Sequence, residues 1–375
     1  MKWDIPVFIQ SDELLSSWLI RFALENYCDP LVITAAIWDK WRGWANDIDR
    51  YPGFDRLRIL AKFSGEDIDD LIDATLASTA VTILGREPKP NELWPWILTT
   101  GTRNRLRKSG IQYCIDCLKS DKKPFFRREW RFAWHVACPI HECALNDWCP
   151  HCQAPIEPHR LIAEDRVVTL CASCRRSLID SVTQPILHPD ALLFQAWIDE
   201  IINHETPPLA HGKIVNVQRW FEIARYYSSF VRRCIISPHP ALQVFSENMN
   251  FRLHQDFQND AFQIYFEQMA IKPRSALLVS VFKLMKLPQD ELIQILKEAA
   301  VSKQGFTNAK LEFPKALEPI AEYLNDNQRA KRKITSKIHG AVEKLPKSKP
   351  LWEVNRMWRQ LQKKMAENPD YGKSA

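Results

Sequence analysis

The first strong pattern in the chain is helical. Leu15, Trp18, Leu19 and Phe22 recur at positions i, i+3, i+4 and i+7, and this spacing places four large apolar side chains on one face of an α-helix. Ser11 precedes them, and serine is a typical residue at a helix cap. We therefore predict an amphipathic first helix that opens near Ser11 and packs through this face.

Two further helical runs, residues 54–63 and 66–77, are joined by Ser64-Gly65, and an earlier run covers 31–44. The joined pair is typical of a helix-turn-helix, although an ordinary corner of a helical bundle fits the same pattern. Carboxylates on a recognition helix would repel DNA phosphates, so we do not expect the second helix to enter a groove. Its acidic residues are Glu66, Asp67, Asp69, Asp70 and Asp73.

Helical periodicity returns in the second half of the chain. The helices predicted there span residues 191–203, 217–233, 260–269, 276–285, 288–300 and 314–324. Near the end of the chain, a narrow apolar seam with coiled-coil-like spacing predicts one more amphipathic helix. The seam consists of Leu351, Val354, Trp358, Leu361 and Met365.

Composition excludes several classes of protein. The 375 residues suffice for two or three domains, and no run of about 18 apolar residues exists that would span a membrane. Only 10 residues are glycine, which disfavours phosphate-binding loops and dinucleotide-binding turns. The sequence contains no dinucleotide fingerprint, Walker A motif, nucleophile elbow or His-Glu-x-x-His motif. We therefore expect a protein that is not an enzyme.

Four two-residue hooks lie between residues 114 and 174. They are Cys114-x-x-Cys117, Cys138-x-x-His141, Cys149-x-x-Cys152 and Cys171-x-x-Cys174. Zinc prefers four thiolate or imidazole ligands in a tetrahedron, and each hook presents two of them, so two hooks close one site. Twenty residues separate the first two hooks, seven the middle two and eighteen the last two. We therefore predict two zinc ions per chain, one on the first pair of hooks and one on the second.

The two zinc ions are predicted to be structural. Four protein ligands leave no open position for water, whereas a zinc hydrolase needs three ligands and a nearby base. A disulfide framework is the alternative, but we find no signal peptide and expect the reducing cytoplasm, where thiols stay free. Cys143, His135 and His151 are rival ligands that break the hook spacing, and Cys28 and Cys234 are expected to be buried thiols.

Charge is distributed unevenly along the chain. Residues 1–101 hold ten Lys or Arg against sixteen Asp or Glu, whereas residues 102–133 hold ten against three and residues 329–375 thirteen against four. Clustered positive charge is typical of nucleic-acid binding, and a solvated surface is an equally good interpretation. The candidate nucleic-acid contacts are Arg103, Arg105, Arg107, Lys108, Arg127, Arg128, Arg131, Lys331, Arg332 and Lys333.

Several of these features occur together in one order. Near the N-terminus the chain reads Leu14-x-Ser16-Ser17-Trp18-Leu19-x-Arg21. After the first hook it reads Phe126-Arg127-Arg128-x-Trp130-Arg131. With the hooks that follow, these motifs resemble the TniQ family, whose longer relatives are the TnsD proteins, over roughly residues 5–180. The family usually has proline after the first cysteine of the opening hook, where this chain has Ile115, and the ligands are unaffected.

The resemblance implies a non-enzymatic adaptor of heteromeric cut-and-paste transposons, which selects the target site and recruits the AAA+ regulator TnsC. TnsD types bind an attachment site on DNA, whereas shorter TniQ types sit as homodimers on Cascade, a complex of Cas proteins with guide RNA. The acidic N-terminal part and the short chain favour the Cascade-associated type. The resemblance also implies a bacterial protein of the cytoplasm. The alternatives are a TnsD-like DNA-binding selector and a zinc-ribbon transcription regulator.

Pattern and resemblance together predict a mainly α-helical protein. An N-terminal helix-turn-helix-like domain is predicted over residues 1–100, and a central double zinc-ribbon module over residues 101–182. A C-terminal helical domain follows over residues 183–345. The last segment, residues 346–375, is predicted to be a linker with an amphipathic terminal helix.

Overall fold

The structure is a computed structural model that describes residues 5–89, 92–100, 110–251, 265–308 and 311–326. These residues are mainly helical with little sheet, which confirms the predicted fold class. The helices are α1 Leu15–Glu25, α2 Pro30–Ile37, α3 Phe54–Ser64, α4 Ile68–Asp73, α5 Ala77–Leu84, α6 Ile115–Ser120, α7 Pro189–Ile202, α8 Val217–Ile236, α9 Pro240–Asn248, α10 Ile271–Lys286, α11 Gln289–Glu298, α12 Lys303–Thr307 and α13 Glu318–Ala321. Two antiparallel hairpins pair β1 Ala137–Cys138 with β2 Cys143–Ala144, and β3 Leu209–Ala210 with β4 Lys213–Ile214.

Helix α1 is buried along nearly its whole length and lies between two apolar cores. Its predicted apolar face packs into a small N-terminal core with Ile33 of α2, Leu57 of α3 and Leu71 of α4. Ile20 and Leu24, on the other side of α1, belong to the main core. Ser16, Ser17 and Arg21 of α1 are therefore buried as well, and each of them needs a partner inside the protein.

The start of α1 is set by tertiary contacts, so the predicted cap at Ser11 is wrong. Helix α1 begins at Leu15 without a side-chain cap. The backbone N–H groups of Leu14 and Leu15 donate instead to the carbonyls of Phe126 and Ala74, at 3.0 and 2.8 Å. Backbone oxygens from distant segments thus accept hydrogen bonds at the helix start, where a capping hydroxyl would accept one in an isolated helix.

Two of the predicted N-terminal helices are shorter than their apolar patterns. The run predicted over residues 31–44 is helical only to Ile37, because the following loop turns through Lys40 at φ +62°. The run over 66–77 divides into α4 and α5, with Asp67 capping α4 through the N–H of Asp69. Helices α3 and α4 remain a helix-turn-helix-like pair, because Gly65 at φ +84° ends α3 and reverses the chain.

The C-terminal helices pack around α8. Helix α8 contacts α5, α9 and α10, and α10 also contacts α7. Helices α9 and α12 were not predicted, and residues 266–268 form a short 3₁₀ turn where a longer helix was expected. The predicted terminal helix and the start of the 260–269 run lie outside the described residues. No helix in the described part of the chain combines the length and apolar character that a bilayer crossing requires.

A cluster of aromatic rings connects segments that are far apart in sequence. The ring of Trp96 packs edge-on against Phe221, Phe266 and Trp134, at centroid distances of 5.7, 5.1 and 6.5 Å. Its indole N–H donates to the carbonyl of Phe221 at 3.2 Å. The described residues accordingly belong to one compact unit, residues 1–327, and the domain boundaries at 100 and 182 stay predictions.

Candidate metal centres

The first metal centre is assembled by α6 and the β1–β2 hairpin. Cys114 precedes α6, and its Sγ accepts a hydrogen bond from the backbone N–H of Cys117 at 3.4 Å. Cys138 ends β1, and His141 lies in the turn that leads into β2. The two hooks seen in the sequence thus become two local structures, a helix cap and a hairpin turn, whose donor atoms meet.

The four donor atoms have the spacing of a tetrahedral site, and all lie within 4.8 Å of one another. His141 Nδ1 is 3.3 Å from Cys117 Sγ and 3.6 Å from the Sγ atoms of Cys114 and Cys138. Cys117 Sγ is 3.6 Å from Cys138 Sγ. Zinc bonds of about 2.3 Å to sulfur and 2.0–2.1 Å to nitrogen predict tetrahedral edges of about 3.6–3.8 Å. The cluster therefore fits a zinc-like ion.

The protonation of this cluster also favours a cation. A hydrogen bond with Cys117 lowers the pKa of Cys114, and the same contact raises the pKa of Cys117. Neighbouring thiols share a proton in this way because bare thiolates at such short range repel each other. A divalent cation removes the conflict, since it stabilises each coordinated sulfur as a thiolate.

The second metal centre is built from two tight turns, each closed by an antiparallel β-bridge. Cys149 Sγ is 3.8 Å from Cys174 Sγ, and Cys152 Sγ is 3.7 Å from Cys171 Sγ. The four sulfurs lie within 4.8 Å of one another. These distances match the edge of a four-sulfur zinc tetrahedron, about 3.8 Å. Two centres of this kind agree with the predicted double zinc module.

Three of the four hooks end in the same backbone conformation. Glu142, Gln153 and Arg175 each follow the second ligand of a hook, and each has a positive φ between +49° and +61°. The N–H groups of Gln153 and Arg175 close the turn onto the carbonyls of Cys149 and Cys171, at 2.9 and 2.8 Å. Positive φ is uncommon outside glycine, and no glycine in the sequence indicated these turns.

The rival ligands named from the sequence have partners of their own. His135 Nε2 lies 2.9 Å from Asp199 Oδ1, and His151 Nε2 lies 2.9 Å from a backbone carbonyl oxygen. Neither histidine belongs to the two four-donor groups. Cys143 differs, because its Sγ lies 3.5 Å from Cys114 Sγ, beside the first centre.

Polar residues in and just before α1 connect the N-terminal helices to the segment between the first two hooks. Arg21 donates to Glu13 from Nε at 2.7 Å and from Nη2 at 2.5 Å, and both side chains are almost fully buried. Glu13 also accepts the hydroxyl of Ser17 at 2.8 Å, and Ser17 Oγ accepts the backbone N–H of Phe126 at 2.9 Å. The polar residues of the first motif therefore hold the second motif in place.

The residues of this junction lie within a region that matches a known protein family. The TniQ family model matches residues 6–145. This part of the chain is a TniQ domain. The match covers the N-terminal helices, the junction and the first metal centre, and it ends before the second centre. It confirms the resemblance found in the sequence. A search of curated proteins finds no match to the chain.

TniQ proteins form a family of non-catalytic transposition adaptors, and the TniQ domain supports a role in target selection for this chain. The two metal centres are consistent with an adaptor. Each offers four protein donors, which is typical of structural zinc. Cys114, Cys117, Cys138 and His141 would hold one ion, and the other four cysteines would hold the second. A bound ion would supply folding energy there.

Within the TniQ domain, Arg131 is a core residue, so its predicted contact with nucleic acid is wrong. Its side chain is fully buried and pairs with Asp47 and Asp49, at 2.6 and 2.7 Å. It also donates to the carbonyl of Leu98 at 2.9 Å. Burial raises the pKa of Asp49 to about 6 although Arg131 opposes the shift. Ser16 adds two hydrogen bonds to this carboxylate, so the pair is part of a buried network.

Two other arginines of the same motif also have partners within the protein. Arg127 pairs with Asp121 at 2.8 Å and stacks over the rings of Phe125 and Trp130. Arg128 pairs with Asp12 at 3.3 Å and is about a quarter exposed. Their nucleic-acid contacts stay a prediction. The remaining candidates lie outside the described residues: Arg103, Arg105, Arg107, Lys108, Lys331, Arg332 and Lys333.

The partners of the buried arginines were not predicted from the sequence. Asp47 and Asp49 precede Arg131 by 84 and 82 residues. An arginine inside an aromatic segment indicates that a partner must exist, because an unpaired buried charge is very costly. The position of that partner depends on which distant loops meet.

Proposed function

We propose that this protein is a transposition adaptor that links recognition of the target site to recruitment of a TnsC-type AAA+ ATPase for DNA integration. The TniQ domain over residues 6–145 is the observation that carries the proposal. The recognition step belongs to a guide-RNA complex of the Cascade type, on which the protein sits as a homodimer. The protein itself binds and positions these partners and catalyses no reaction.

The charge of α4, the second helix of the helix-turn-helix-like pair, favours a protein partner over DNA. Helix α4 carries the exposed carboxylates Asp69 and Asp70 in its first turn, and its cap is Asp67. It has no basic residue in its last turn. The acidic residues of this helix would repel DNA phosphates. The same residues would be attracted to a basic surface on a protein partner.

The arginines between the first two hooks support the same mode of recognition. Arg127, Arg128 and Arg131 each have a carboxylate partner inside the protein. A phosphate would have to displace these partners, and in the case of Arg131 it would have to reach a buried group. Direct DNA reading of the TnsD kind is the second candidate, because residues 329–375 hold thirteen Lys or Arg against four Asp or Glu.

Co-elution tests the adaptor proposal directly. The purified full chain is mixed with the ATPase or with Cascade loaded with guide RNA, and complexes are separated by size exclusion with light scattering. We expect a dimer of the chain in both complexes. If the chain joins neither the ATPase nor Cascade, the adaptor function is contradicted.

Two charge-reversal variants make the test specific to α4. Asp69→Lys/Asp70→Lys changes α4, and Asp290→Lys/Glu291→Lys changes the matching first-turn acids of α11, all of them exposed. Both variants lose similar helix-dipole stabilisation, so α11 is a matched control. We expect at least a tenfold loss of Cascade affinity for the α4 variant alone. An equal loss in both variants would contradict a role for α4.

A gel shift separates the two modes of recognition. The chain is titrated at about 0.15 M salt against duplexes that cover the native insertion site and against scrambled duplexes. We expect binding no tighter than the 10⁻⁴–10⁻⁶ M that is typical of non-specific contacts, with no preference for the native site. Specific binding far tighter than this would identify a direct DNA reader and overturn the Cascade mode.

A further inference from the structure

A cavity of about 390 Å³ lies between α5, α8 and residues 311–316, away from both metal centres. Its apolar wall includes Ile83, Trp96, Phe221 and Phe313. Ligand sites in proteins usually have volumes of about 300–1,000 Å³, and apolar and aromatic side chains with a few polar groups line them. The cavity therefore has the size and the lining of a site for a small ligand.

The charged residues of this cavity differ in exposure. Arg219, Glu222, Glu312 and Lys315 are all exposed, whereas Arg225 is half-buried. Water and salt screen the charges of exposed groups much more than those of partly buried groups. A charged group on a ligand would therefore interact most strongly with Arg225.

A buried carboxylate fixes both Arg225 and the cavity wall. Arg225 Nε donates to Glu267 Oε1 at 2.8 Å, and the side chain of Glu267 is fully buried. The same oxygen accepts the backbone N–H of Trp96 at 3.2 Å. Trp96 has a positive φ of +66°, a strained conformation for a bulky residue that occurs often at ligand sites. The arginine and the aromatic wall are thus held in place before any ligand binds.

Arg225 has further donors for a ligand. Among the residues that the structure describes, none accepts a hydrogen bond from its Nη1 or Nη2. A guanidinium group presents its N–H donors in a planar fork that matches the two oxygens of a carboxylate. The rings of Trp96 and Phe221 line the same cavity, and aromatic rings pack well against another flat apolar group.

We propose that this cavity binds a carboxylate that is joined to an aromatic or branched apolar group. The carboxylate accepts hydrogen bonds from the Nη atoms of Arg225, and the apolar group packs against Trp96 and Phe221. A free organic acid and the C-terminal residue of a peptide both have this chemistry. The inference does not depend on the proposed function.

Calorimetric titration of the full chain tests the chemistry of the ligand. The probes are indole-3-propionate and a tripeptide that ends in tryptophan, each as the acid and as the amide. We expect at least one acid to bind with a dissociation constant of about 1 mM or less, as is typical of such small ligands. Its amide should bind about tenfold more weakly, because a charged hydrogen bond is lost.

The acid that binds more tightly identifies the source of the carboxylate. If neither acid binds, or if the amides bind as tightly as the acids, the proposal is overturned.

A blocking variant tests the place of binding. Ala316 is exposed and lines the cavity, so Ala316→Trp should fill the entrance and still fold. Ala36→Trp is the matched control, because Ala36 is an exposed alanine of α2 far from the cavity lining. We expect Ala316→Trp to lose acid binding and Ala36→Trp to keep it. Equal affinity in the two variants would show that the acid binds elsewhere.

Two further variants identify the arginine. Arg225→Lys keeps a positive charge beside Glu267 but lacks the planar fork, so the preference for the acid over the amide should fall several-fold. Arg219→Gln/Lys315→Gln removes exposed charges and should change the affinity much less. Binding that survives in Arg225→Lys and is lost in Arg219→Gln/Lys315→Gln would overturn the role of Arg225.

Discussion

The two metal centres are built from hooks of the same ligand spacing, but their surroundings differ. In the first centre, Cys114, Cys117 and Cys138 are each at most 1% exposed. The segment between its hooks contributes Trp130 and Trp134 to the main core, both fully buried. This segment is also hydrogen-bonded to α1, because the backbone N–H of Phe126 donates to Ser17 Oγ. The first centre is therefore part of the main core.

The second centre lies closer to the surface. Cys152 is exposed and Cys174 is half-buried. The segment between its hooks contains Val167, which is 44% exposed, although Leu161 and Val168 of the same segment are buried. The comparison shows that similar hook spacing does not predict how much of the fold depends on a centre, because that depends on what the segment between the hooks packs against.

Removing one metal ligand from each centre in turn should give the largest difference, which is a difference in helix content between the two variants. Cys117→Ser should unfold the TniQ domain, because structural zinc binding is worth about 10–16 kcal/mol and a typical domain is stable by only about 5–15 kcal/mol. Cys152→Ser should lose only the second metal and retain its helix content, because its side chain is exposed. Metal analysis and far-ultraviolet circular dichroism measure both results. Equal loss of helix content in the two variants would show that the centres are equivalent.

Breaking one ion pair in the segment between the hooks of each centre should give an intermediate difference in the free energy of unfolding. Arg131→Met removes the arginine partner of the buried Asp49 carboxylate and of the neighbouring Asp47, and loss of one partner of a buried ion pair costs about 3–5 kcal/mol. Arg160→Met in the second segment removes a pair with Glu157 whose arginine is 47% exposed, and such pairs contribute about 0–1 kcal/mol. Urea unfolding of both variants measures the free energies. A cost below about 1 kcal/mol for Arg131→Met would contradict its role in the core.

His159, which lies between the hooks of the second centre, should have the smallest effect on stability, and this effect should depend on pH. His159 stacks on Trp44, and burial together with Arg160 lowers its pKa to about 4. The unfolded chain, with a pKa of about 6.5, binds the proton more readily than the folded chain between these values. Stability should therefore be complete above pH 6.5 and fall by about 1–2 kcal/mol as the pH is lowered to 5.

The variant His159→Phe isolates this contribution. Phenylalanine keeps a ring against Trp44 and removes the titration, so the variant should lose less stability than the unmodified chain between pH 7.5 and pH 5. Metal release at low pH affects both proteins alike, and the difference between their melting temperatures therefore reports on His159. An identical pH dependence in the two proteins would show that this ring is not held neutral by the fold.

The sequence by itself determined what depends on neighbouring residues. The two-residue spacing of the hooks brings ligand pairs together, and the structure groups Cys114 with Cys117 and Cys149 with Cys152 accordingly. The i, i+3, i+4, i+7 pattern identified the face of α1 that packs in the N-terminal core. Helix periods and ligand spacing are local geometry, so a short stretch of chain contains all the information they need.

Only the tertiary structure decided which distant residues meet. The capless start of α1 follows from contacts with other segments, because backbone groups pair with whichever partner the fold supplies. Asp47 and Asp49 meet Arg131 for the same reason. The hooks of both centres share a ligand spacing, yet all three cysteines of the first centre are buried, whereas Cys152 of the second centre is exposed and Cys174 is half-buried. Burial depends on the packing of the whole chain, and no local pattern contains that information.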